Sequence, residues 1–96
     1  MNKREEQLKC IQEEAFELFS KKNKDYGDSF ATYGPVGVIV RLGDKIQRLI
    51  SVTTNRVHLI NNESLRDTLI DLHNYAAMGI MLMDEKSDIE MGQPKN

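Results

Sequence analysis

VGVIVRLGDKIQRLISVT, residues 36–53, decides the fold. Its first five letters, VGVIV, taken alone would suit a short strand, because β-branched residues favour extended backbone. Continued to Thr53, however, the run places Ile39, Leu42, Ile46, Leu49 and Ile50 at spacings of three and four, the period of an amphipathic helix sustained over about four turns. The segment therefore predicts a helix. Just ahead of it, Tyr33, Gly34, Pro35 and Gly37 read as a loop, with Pro35 placed to open the helix as a first-turn residue.

Upstream, Leu8, Ile11, Ala15, Leu18 and Phe19 recur with the same period and predict a helix from about Lys3 to Lys22. It runs into SKKNKDYGDS, where lysines suit a helix C-terminus and Asn23, Asp25, Gly27, Asp28 and Ser29 are turn formers. Downstream of TTNRVHLINN, Leu65, Leu69, Leu72 and Ala76 mark a third helix, with Asn62 as N-cap and Glu63 and Ser64 in the first turn. SDIEMGQPKN reads as a frayed polar tail. The expectation is an all-α helical bundle of three long helices plus short elements. A single domain covers residues 1–86 and a flexible tail 87–96. Because so short a chain buries a limited share of its surface, a second copy or a tetramer is expected to complete the core.

Hydrophobic residues at 40% and charged residues at 29% are the balance of a folded protein. A net charge of -2 supplies no basic field for nucleic-acid backbones, so direct duplex DNA binding is not expected. Cys10 is the one cysteine and has no disulfide partner, which agrees with a reducing compartment; it is expected to be a small, semi-buried apolar residue. The opening MNKREEQLKC has no apolar signal region and no stretch approaches 18 apolar residues, so a cytoplasmic protein without a membrane span is expected.

Placing residues about 100° apart around each axis separates a charged stripe from the apolar one. Glu13, Glu14 and Glu17 lie away from the apolar stripe of the first helix, and Glu63, Asp67, Asp71 and Asn74 form an acidic and amide stripe on the third. Between them in sequence, Arg41, Lys45 and Arg48 line one face of the second helix beside Asp44. A like-charge stripe is usually a solvated face. Two acidic faces brought together would instead supply the oxygen ligands that magnesium takes from a few carboxylates, water and phosphate. Arg66 is the sole basic residue beside the third stripe, and like charges one turn apart cost helix stability unless a cation offsets them. His58 and His73 have no metal-type spacing, and Met78, Met81 and Met83 suit flexible core or oligomer packing.

NKDYGDSF at 23–30, RLGDKIQRL at 41–49 and ESLRDTLIDLHNYA at 63–76 resemble the family called nucleotide modification associated domain 1 of phages and bacteria, within or close to the MazG-like all-α NTP pyrophosphatases. With the first helix these segments span about three quarters of the chain. MazG-like enzymes hold magnesium with EExxE on one helix and ExxD on a later one, and cleave a nucleoside triphosphate to monophosphate and pyrophosphate. Glu13, Glu14 and Glu17 in EEAFE match the first motif. Asp71 matches the end of the second, but Thr68 stands where its glutamate belongs, so Asp67 would have to substitute.

The resemblance thus implies a hydrolase of phosphoric anhydrides in phage nucleotide metabolism. Glu14, Glu17, Asp67 and Asp71 would hold magnesium, or manganese in its place, and Glu14 or Glu13 would be the base for the attacking water. Arg41, Lys45 and Arg48 would contact the triphosphate, with Asn74, Tyr26 and Tyr75 on the base or sugar. Two rivals stand beside it: a non-catalytic nucleotide binder, favoured by Thr68, and a purely structural oligomerisation module. The disposition of Glu14, Glu17, Asp67 and Asp71 discriminates among them.

Overall fold

Asn2 caps the first helix: its side-chain oxygen accepts the backbone N–H of Glu5 at 2.9 Å, satisfying one of the donors that every helix start leaves open. Glu5 and Glu6 in the first turn add negative charge at the positive end of the helix dipole. This helix, α1, spans Lys3–Tyr26 in the computed structural model, which describes residues 2–27, 29–55 and 62–90 and, at 26, 52, 54, 55, 62–64 and 86–90, the backbone alone. It runs about one turn beyond the expected end, because closure falls to Gly27, whose φ of 61° is open to glycine and whose N–H donates to the Asn23 carbonyl at 2.7 Å.

A single 3₁₀ turn, Ser29–Ala31, follows and is closed by the Thr32 hydroxyl donating to the Ser29 carbonyl at 2.8 Å. Phe30 in this turn meets Phe19 of α1 edge to face, ring centroids 6.2 Å apart, which folds the loop back onto the helix. Helix α2 then spans Gly34–Asn55 with Pro35 in its first turn, and VGVIV is helical. Helix α3 spans Asn62–Glu90, continuing past the expected domain end at 86; the remaining tail, 91–96, lies outside the described residues.

The three helices pack as expected, α3 lying against both α2 and α1. What differs is which faces meet. Ala15 is fully enclosed at the α1–α3 contact, as its stripe predicts. On α2 the buried residue is Val38, and half-buried Leu42, Lys45 and Leu49 continue its face, while Ile39, Ile46 and Ile50 point outward. On α3 the inward face carries Ile70, Asn74 and Leu82, and Leu69 is exposed. The apolar stripes expected to form the core on α2 and α3 are thus split: Leu42, Leu49, Leu65 and Leu72 are half-buried, while Ile39, Ile46, Ile50, Leu69 and Ala76 are exposed. Val38 meets the backbone of α3 at Gly79, where a Cβ would stand 3.5 Å from its Cγ1. Cys10 is exposed rather than semi-buried. Among the described residues, no helix is long and apolar enough to cross a membrane.

Candidate functional site

The C-terminal half of α1, the 3₁₀ turn, the start of α2 and the middle of α3 enclose a cleft of about 620 Å³, within the range typical of small-molecule sites. Phe19, Phe30, Tyr33, Tyr75 and Met78 supply apolar and aromatic surface, with Val38 behind them. Lys22, Arg41 and Asp71 bring charge to the same space, and Asn23 and Asn74 bring amides. The entry to α2 is tight here: a Cβ on Gly37 would stand 2.7 Å from that of Tyr33, so a glycine is what lets this tyrosine sit at the cleft mouth.

Asp71 organises the charges. One carboxylate oxygen lies 3.4 Å from Nζ of Lys22 on α1 and the other 3.2 Å from Nζ of Lys45 on α2, so one anion from α3 draws a cation from each of the other helices. Asn74, one turn on and buried, donates from Nδ2 to the Ala15 carbonyl at 3.0 Å, and its Oδ1 lies 3.0 Å from Nδ1 of exposed His73. A helical carbonyl retains a lone pair beside its own ladder bond, so Asn74 ties α3 to α1 without breaking either helix. A second α1–α3 link lies outside the cleft, where Arg66 grips Glu14 with both guanidinium arms, Nη2 to Oε1 at 2.6 Å. These hydrogen bonds hold the Glu14 carboxyl below the usual carboxylate range, helped by the Arg66 charge and opposed by partial desolvation.

The expected site residues therefore divide. Arg41, Asp71, Asn74 and Tyr75 line the cleft, and Lys45 reaches it through Asp71. Glu13, Glu14, Glu17, Asp67 and Arg48 are exposed and outside its lining, and the Tyr26 side chain and His58 lie outside the described residues. Asn74, placed by the sequence on a solvent-facing stripe, is buried, because its amide has a carbonyl to serve. Thr68 is buried too, so the position at which the resemblance expects a carboxylate faces the packed interior. Among the described residues no three His, Cys, Asp or Glu side chains gather as a metal site would require. With Glu14 held by Arg66 and Asp71 by two lysines, these carboxylates do not, as they stand, fit a magnesium centre.

Lys22, Phe19, Asn23, Phe30 and Tyr33 complete the site and were not among the expected residues. For Asn23 and Phe30 the signal is the NKDYGDSF segment that carries the resemblance, whereas Phe19, Lys22 and Tyr33 lie outside it. No curated protein and no solved structure matches the chain significantly. A family model, by contrast, matches residues 22–83, a span holding every residue named in the cleft except Phe19, and by that match the chain belongs to the family nucleotide modification associated domain 1.

Proposed function

We propose that the chain binds a nucleotide in this cleft. One observation carries the reading: aromatic surface and two cations, Lys22 and Arg41, line a single cavity inside the matched family segment. A nucleobase has a π-face for Tyr75 or Phe30 to stack on, worth about 1–3 kcal/mol per base, and phosphate oxygens accept charge-assisted hydrogen bonds from Arg41 and Lys22. In the free protein the anion at this place is Asp71, which engages Lys22 and Lys45 as a phosphate would. An incoming phosphate competes with Asp71 for both lysines.

Calorimetry with a nucleoside, its monophosphate and its triphosphate tests this. Arg41→Ala should weaken the phosphorylated ligands roughly tenfold or more and leave the nucleoside unchanged, while Tyr75→Ala should weaken all three. Absence of binding at millimolar ligand, or binding indifferent to both substitutions, would overturn the proposal.

Magnesium-dependent cleavage of a nucleoside triphosphate to monophosphate and pyrophosphate is the finer reading, supported by the resemblance of EEAFE at 13–17 to a metal-binding motif. Since the carboxylates do not fit a magnesium centre as they stand, no catalytic step is assigned to them. Pyrophosphate release from canonical and modified dNTPs, with magnesium or manganese, separates catalyst from binder. Release abolished by both Glu17→Gln and Asp71→Asn makes the protein a hydrolase. No release, together with tighter nucleotide binding by Asp71→Asn, makes it a binder in which Asp71 is the internal counter-ion.

A further inference from the structure

Helix α2 has three sectors. Val38, Leu42, Lys45 and Leu49 face the other helices, and Arg41, Asp44 and Arg48 form a charged sector. The third, about a third of a turn from the inward face, carries Val36, Ile39, Val40, Gly43, Ile46, Gln47 and Ile50 and no ionisable side chain. Its large residues are 46–69% exposed. An uncharged apolar stripe along most of a 22-residue helix is a surface that monomeric proteins rarely leave uncovered.

We propose that a second copy of the chain covers this stripe, α2 against α2 in an antiparallel pair whose two-fold axis passes near Gly43. Three observations select that occupant. Val36, Gly43 and Ile50 are spaced by seven, as are Ile39, Ile46 and Thr53, which is the seam spacing of paired helices. The stripe is self-complementary about Gly43: running one copy antiparallel to the other sets Val36 opposite Ile50 and Val40 opposite Ile46, as an isologous contact requires. Gly43 itself has nothing within 4 Å of where a Cβ would stand, although a glycine inside a helix costs roughly 0.5–1 kcal/mol relative to alanine. Open space at the centre of the seam lets two backbones approach there.

The inference is independent of nucleotide binding and is tested on the full chain by light scattering after gel filtration. The wild type should show twice the 11.0 kDa chain mass, or a larger even multiple. Ile46→Glu and Val40→Glu should each halve that mass while circular dichroism stays helical, because at 46% and 59% exposure the new carboxylates remain hydrated in a single chain. Met83→Glu, at an exposed position on α3, should leave the mass unchanged. A second readout is Gly43→Cys in a Cys10→Ser background, which should form an interchain disulfide on mild oxidation. A wild type of single-chain mass overturns the proposal, as does an assembly that survives both α2 substitutions or one that Met83→Glu dissolves.

Discussion

The two inter-helix charge clusters are different in kind. Asp71 is 21% exposed and holds two lysines at the edge of a cleft, whereas Glu14 and Arg66 are about half exposed and make a bidentate surface pair. The second has a defined pH signature. Glu14 has its pKa lowered in the folded state, chiefly by hydrogen bonding to Arg66, so the pair's contribution is present above the unfolded carboxyl value near 4.5 and is lost as pH falls through the lower folded value. Urea midpoints of the wild type and Glu14→Gln should therefore differ slightly at pH 7 and converge as pH is taken from about 5 to 3. Because the pair is exposed, salt should shrink the pH 7 difference too. A difference that grows on acidification would contradict the assignment.

At the scale of the elements, one amide joins α1 to α3. Asn74→Ala leaves no partner for the amide's place on the Ala15 carbonyl and opens space at the one contact where α1 has a fully buried residue. Loss of such a hydrogen bond costs about 0.5–1.5 kcal/mol, and the space left behind adds to it. The expected result is a urea midpoint lowered accordingly, against a change within about 0.5 kcal/mol for Glu13→Ala on the exposed side of the same helix. Helix existence and order were legible in the sequence, since periodicity over many turns outweighs local ambiguity such as VGVIV. Helix facing was legible only for α1. On α2 and α3 apolar residues occupy more than one sector, so the most regular stripe marks an apolar face without stating what covers it.

For the whole molecule, the proposed pairing through the outward α2 stripe would tie stability to concentration. Among the described residues, the buried hydrophobic side chains are Ala15, Val38, Ile70 and Leu82. If association through α2 supplies the rest, the urea midpoint should rise with protein concentration, by about 1.4 kcal/mol of apparent stability per tenfold increase for a dimer that dissociates on unfolding. The same series with Ile46→Glu should be flat. A flat series in the wild type would show that the inward core suffices.

Composition and periodicity by themselves determined an all-α chain of three long helices with a glycine- and proline-marked loop after the first. These features depend on neighbours a few residues apart, whose side chains compete for one helix surface. The segments at 23–30, 41–49 and 63–76 also carried the family. Only the tertiary structure decided that Asn74 and Thr68 face inward, that Glu14 answers to Arg66, and that Asp71 stands between Lys22 and Lys45, 49 and 26 positions away in the chain. A carboxylate looks the same in the sequence whether it awaits a metal, a lysine or water. Which of these it meets depends on how helices far apart in the chain are rotated against one another, and that rotation is set by the sum of packing and charge pairing over whole faces.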